Sequence, residues 1–168
     1  MLDVFLRLNK WLIKILELAV IFVTGFLVLD VVWGVFTRYV MGHQSPWTEE
    51  LARMLLIWVS LLGASIGFIR KSHLGVDYFV GKLNLKWRLI VQFVIYLLVT
   101  IFAGIVLIYG GYRLVSSVLQ NGQPSAALKI QWGYVYLAVP ISGFFIVMFS
   151  IQMMIEVIRE LLKKPARY

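Results

Sequence analysis

Residues 45–53, SPWTEELAR, place two carboxylates and a guanidinium (Glu49, Glu50 and Arg53) at the mouth of an apolar run that carries no further charge before Arg70. Acid–base or metal chemistry, passage of an ion, and docking of another protein all suit such a group. Chemistry fares worst. Adjacent residues on a helix point about 100° apart, so Glu49 and Glu50 make a poor clamp for a cation. The two histidines, His43 and His73, fall near loops, whereas a haem held between helices needs axial ligands inside the bundle. The sequence shows no P-loop, H-E-x-x-H or nucleophile elbow. With cysteine absent, thiol catalysis, thiolate metal sites and disulfides are excluded. The residues predict no catalytic, metal or cofactor site, and the chain does not read as an enzyme.

What holds these charges is a membrane. The 168 residues are 61% hydrophobic and 14% charged, with mean hydropathy +0.89, against about 45–50% and about 25% in soluble domains. Four apolar stretches, about 15–36, 47–69, 89–112 and 132–155, exceed the roughly 18 residues that mark a spanning helix. Neither alternation nor short turn-bounded runs argue for strands. The expected architecture is an all-α integral membrane protein of four transmembrane helices forming one membrane domain over residues 1–168. The first helix is too long for a signal-peptide core, contains Glu17 and Asp30, and lacks a cleavage pattern, so it is expected to remain.

The net charge of +8 does not point to nucleic acid, because the basic residues gather at the ends of the apolar runs. With a cytoplasmic N-terminus, twelve fall on that side, against Arg38, Arg53, Arg113 and Lys129 on the other. The positive-inside rule then puts both termini in the cytoplasm and SPWTEELAR at the outer face. Between helices two and three, Val76, Phe79, Val80 and Leu83 recur at helical spacing, while Asp77, Lys82 and Lys86 fall elsewhere. This suits a short amphipathic interfacial helix over about 74–86, although Gly75 and Gly81 leave an irregular loop as the other reading. Residues 116–131 contain Asn121-Gly122 and Pro124 and are expected to turn at the outer side.

Ser45 is placed to cap the second helix, with Pro46 at its first position. Glu49 and Glu50 suit the positive end of the helix dipole, and Arg53 is within reach of both. Arg53 nevertheless lies roughly 10 Å inside the helix start at 1.5 Å per residue, and Asp30 reaches a similar depth on helix one. Charges at such depth pair or face protein. The expectation is an Asp30–Arg53 pair between helices one and two, the other reading being that each meets water or a partner chain. Gly63 and Gly67 make a G-x-x-x-G spacing that permits close helix contact, within the bundle or with another chain. Asp77 follows His73 by four residues and is placed either to hydrogen-bond to it beside Arg70 at the cytoplasmic turn, or to be solvated there.

The order of these residues resembles the small membrane subunit of the tripartite ATP-independent periplasmic (TRAP) transporters, the DctQ-like family. Arg38 precedes Trp47-Thr48-Glu49-Glu50-Leu51-Ala52-Arg53, followed by Leu62-Gly63, Arg70, His73 and Asp77, then Trp132 and Pro140. The resemblance covers Arg38 to about Gly143. It implies a component of a sodium-coupled importer in a bacterial inner membrane, working with a large multi-helix permease subunit and a periplasmic substrate-binding protein that captures a carboxylate such as a C4-dicarboxylate or sialic acid. It implies that Arg38, Trp47, Glu49, Glu50 and Arg53 act as a polar anchor for helix packing and outer docking. The rival is a self-contained four-helix exporter of the multidrug type. Such proteins depend on a central carboxylate in helix one, and here Glu17 and Asp30 lie toward opposite ends.

Overall fold

The computed structural model describes residues 2–43, 45–70 and 84–162. Helix α1 (Leu2–Val40) is followed by α2 (Pro46–Ile69). The third span starts as α3 (Leu85–Phe102), widens into a π-helical segment (Ala103–Gly110) and ends as α4 (Gly111–Gln120). A short α5 (Trp132–Tyr136) leads into α6 (Ala138–Leu162). Four helical stretches are long and apolar enough to cross a membrane: Trp11–Val40, Pro46–Ile69, Lys86–Gln120 and Trp132–Leu162. The expected all-α, four-helix membrane architecture is met. The expected interfacial helix over 74–86 lies mostly outside the described residues, and its last residues, 85 and 86, belong to α3.

Three helices overrun their hydropathic stretches. At 1.5 Å per residue, α1 is about 58 Å long, well beyond the ~30 Å hydrocarbon layer. The third span continues through α4, where GYRLVSSVLQ is amphipathic and buries Gly111 and Val115 on one side. The break at Leu137 has a local cause. Pro140 has no N–H to offer the carbonyl four residues back and crowds that turn, so the regular ladder resumes only with Ile141 N–H donating to the Leu137 carbonyl at 3.2 Å.

Helix α6 is the hub, packing against α2, α3 and the π segment, whereas among the described residues the backbone of α1 leans on α2 alone. One core cluster joins Phe68 of α2 to Leu89 and Tyr96 of α3 and Met153 and Val157 of α6; another joins Leu16, Leu62 and Phe149. Lipid tails are as apolar as these side chains, so burial alone does not hold the helices together, and close packing with interhelical hydrogen bonds must. Both are present. Ser150 Oγ donates to the Tyr96 carbonyl at 2.7 Å, and Ser65 Oγ lies within hydrogen-bonding distance of the Ser142 carbonyl at 3.3 Å and of its own Leu61 carbonyl at 3.1 Å. A Cβ on Gly143 would stand 2.6 Å from Leu107 Cβ and 3.2 Å from the Ile108 backbone nitrogen. A Cβ on Gly111 would stand 2.9 Å from Val139 Cγ1 and 3.1 Å from the Pro140 ring.

These are not the glycines that spacing singled out. A Cβ on Gly63 or Gly67 would meet nothing within 4 Å, so the G-x-x-x-G of α2 makes no close helix contact among the described residues. A spacing of four puts two glycines on one face, but it does not say which face is covered.

Candidate functional site

The N-terminal end of α2 sorts its charges by helical azimuth. Ser45 is the N-cap in an extended conformation (φ −73°, ψ 119°), with Pro46 in the first turn and no side-chain cap. Instead the Ser45 carbonyl accepts from Thr48, backbone N–H at 3.2 Å and Oγ1 at 2.8 Å. Thr48 is thereby buried and drawn against α1, where its Oγ1 would be 3.1 Å from a Cβ on Gly34. Thr37 closes the same contact by donating to the Gly34 carbonyl at 3.0 Å.

Glu49 and Glu50 take different directions, as their 100° separation requires. Glu50 reaches away from α1 to the loop between α4 and α5, where its carboxylate accepts three successive backbone N–H groups: Ala126 at 2.9 Å, Ala127 at 2.8 Å and Leu128 at 2.8 Å. Consecutive amides converging on one anion form a nest. The loop supports that geometry itself. Ser125 N–H donates to the Ile130 carbonyl at 2.8 Å, Ile130 N–H returns to Ser125 Oγ at 3.2 Å, and Pro124 bridges to Gln131. Gly122 (φ 59°) and Lys129 (φ 58°) take the left-handed turns, and the expected turn at Asn121-Gly122 is present.

Glu49 instead faces solvent and pairs with Arg53 at 3.8 Å, both side chains about two-thirds exposed. An exposed pair of this kind contributes little. The expected Asp30–Arg53 pair is not formed. Arg53 turns to Glu49, and neither oxygen of Asp30 accepts a hydrogen bond. The two residues match in depth but not in azimuth. The residues of α2 that line the clefts beside Asp30 are Trp47, Thr48, Glu49, Leu51, Ala52 and Leu55; Arg53, one turn beyond Glu49 at the edge of that stripe, is not among them.

Asp30 is 6% exposed and stands between two fissures at the α1–α2 seam. One, about 300 Å³, is shared with Arg38, Thr48, Glu49 and Ala52. The other, about 460 Å³, is shared with Phe26, Trp33, Trp47 and Leu55. Arg38 is exposed, with its guanidinium 5.9 Å from the centre of the Tyr39 ring. Of the sequence-derived residues, the fold therefore gathers Asp30, Arg38, Trp47 and Glu49 at one seam and sends Glu50 to a separate anchor.

At the opposite end, Arg70 donates to Glu17 from Nη2 at 2.8 Å and Nε at 3.2 Å, tying α1 to α2. His73 and Asp77 lie outside the described residues. Sequence reasoning missed the Glu17–Arg70 tie, the Glu50 nest and the Gly34–Thr37–Thr48 contact. The small residues Gly34 and Thr37, three positions apart on α1, were a signal available for the last.

Comparison with known proteins agrees with this geometry. The family described as tripartite ATP-independent periplasmic transporters, DctQ component, matches residues 27–160. The sialic acid TRAP transporter small permease protein SiaQ of Vibrio cholerae is 26% identical over 160 residues, 92% of this chain and 88% of that protein. A Haemophilus influenzae protein assigned as a TRAP transporter small permease is 32% identical over 149 residues, 87% of this chain and 88% of that one. The isethionate TRAP transporter permease protein DctMQ of Oleidesulfovibrio alaskensis is 29% identical over 125 residues, which make up 74% of this chain but 19% of that much longer protein. With four spans and a match over most of its length, the chain belongs to the DctQ component family of the tripartite ATP-independent periplasmic transporters.

Proposed function

We propose that this chain is the small membrane subunit of a TRAP transporter that braces the large transport subunit during sodium-coupled uptake of a carboxylate solute of the C4-dicarboxylate or sialic acid type. The observation that carries the reading is where the bundle's polar groups go. Ser65 and Ser150 donate to carbonyls of a neighbouring helix, Ser142 and Thr100 donate to carbonyls of their own helix, and Glu50 is committed to a loop, so these groups are satisfied within the chain rather than held for a solute. The isethionate permease DctMQ supports a larger membrane partner, since a segment like this chain occupies only a fifth of it. The names of the sialic acid and C4-dicarboxylate relatives support the solute class. A periplasmic substrate-binding protein is the third partner, received at the outer ends that carry the Glu50-laced loop. The chain lies in the bacterial inner membrane with both termini cytoplasmic, and no part of this role involves nucleic acid or a cofactor.

Two measurements test this. Purified in mild detergent, the tagged chain brings a large membrane permease with it; in liposomes it moves no solute alone, and uptake needs the large subunit, the binding protein and a sodium gradient. Gradient-driven flux from the chain alone would instead establish the small exporter. For orientation, the absence of cysteine makes any introduced thiol unique. In intact spheroplasts, a membrane-impermeant maleimide labels Gln123→Cys and spares a cysteine appended to the C-terminus. The opposite pattern would invert the topology.

A further inference from the structure

Seven polar side chains are buried among the described residues, and six of them have a hydrogen bond. Thr37, Thr48, Ser65, Ser142 and Ser150 donate to carbonyls, and Ser125 accepts from Ile130. Asp30 has none for either oxygen. It sits ten residues before the end of α1 at Val40, about 15 Å along the helix, within a stretch apolar enough to span a membrane, where an unanswered carboxylate is costly. A bound proton does not solve the problem, because a carboxylic acid O–H also needs an acceptor. The nearby cations are occupied or distant. Arg53 is on Glu49, and Arg38 lies eight residues, about 12 Å, further along α1 over Tyr39.

The space around Asp30 has the shape of its missing partner. A water's share of liquid volume is about 30 Å³, so fissures of about 300 and 460 Å³ have room for a long side chain. The larger is walled by Phe26, Leu29, Trp33, Trp47, Leu51 and Leu55, with Asp30 in its lining. Apolar walls around a carboxylate match an apolar stem with a cationic head. A phospholipid fits this seam poorly. Its ammonium lies outside its phosphate, whereas here the acid is deep and the base, Arg38, is shallow. Along the same stretch α1 leaves Phe22, Phe26, Leu29 and Trp33 exposed and rests its backbone on α2 alone, which leaves room for another helix.

We propose that Asp30 is a docking carboxylate: a guanidinium or ammonium side chain on a transmembrane helix of the large partner subunit enters the α1–α2 seam and pairs with it in the assembled complex. This rests on the function proposed above.

The pairing predicts effects of opposite sign in the two states. In the isolated chain Asp30→Asn leaves the melting midpoint unchanged or raises it, because an unpaired buried charge is lost. In the co-expressed complex the same change strands the partner's cation. The large subunit retained on the tagged chain should then fall roughly thirtyfold or more, as when one member of a buried charged pair is removed. Equal retention by Asp30→Asn and wild type overturns the proposal. So does equal destabilisation of the isolated chain and the complex, which makes Asp30 an internal structural residue. Retention recovered by adding phospholipid to delipidated complex assigns the site to a headgroup, and also overturns it. Failure of the underlying function is read separately, on the wild type, as no large membrane protein retained at all.

Discussion

Replacing Gly143 with leucine separates α6 from the π segment and leaves little monodisperse protein. The reason is the nature of the atoms in the way. A first side-chain carbon would stand 2.6 Å from Leu107 Cβ and 3.2 Å from the Ile108 backbone nitrogen. Neither is the free end of a flexible side chain that can swing aside, so the helices must part. Overpacking typically costs about 1–3 kcal/mol. Here relief also disturbs Ala103, Ala138 and Ser142, at most 1% exposed, which puts the cost at the upper end of that range or beyond. The same substitution at Gly67 meets open space and should stay within about 0.5 kcal/mol in the isolated chain. Unfolding in detergent, followed by helical signal and by size-exclusion profile, checks both. Equal tolerance of leucine at 143 and 67 would refute the close contact.

That contrast shows what sequence pattern conveys. Hydropathy counts located all four spans, because twenty or so apolar residues have one stable arrangement in lipid. It lost the ends. The apolar and polar faces of α4 nearly cancel in an average, and the break at Leu137 depends on one missing N–H. Pattern also located the polar positions without their partners. Residues 49, 50 and 53 are neighbours in any helix, so the Glu49–Arg53 pair was legible from spacing. The nest around Glu50 was not, because the amides it binds are 76 to 78 residues away. Asp30 and Arg53 were matched by depth, a quantity the sequence supplies. Whether they meet depends on rotation about two helix axes, which packing decides. The Glu17–Arg70 tie was hidden for the same reason.

Glu50→Ala carries the second large effect, and it falls on the loop rather than on the helix that bears the residue. In the folded chain three consecutive amides point at one carboxylate. Removing it leaves them to water and leaves the left-handed turns at Gly122 and Lys129 with less to hold them. Amide exchange at Ala126, Ala127 and Leu128 should accelerate by roughly tenfold or more, the signature of local opening, while exchange in α3 and α6 stays as it was. Glutamine is a poor substitute. Its one carbonyl oxygen accepts, but its NH2 is a donor only and would face an amide that also donates. Aspartate is one methylene too short to reach from the same backbone position. Glu49→Gln should leave all three amides protected, since Glu49 faces Arg53. Because the soluble partner is proposed to be received at the end of the bundle that carries this loop, Glu50→Ala should also slow uptake in the reconstituted transporter without lowering the amount of large subunit retained. That separates it from Asp30→Asn, which acts on retention. Unchanged exchange at residues 126–128 would show that the loop holds its shape without the carboxylate.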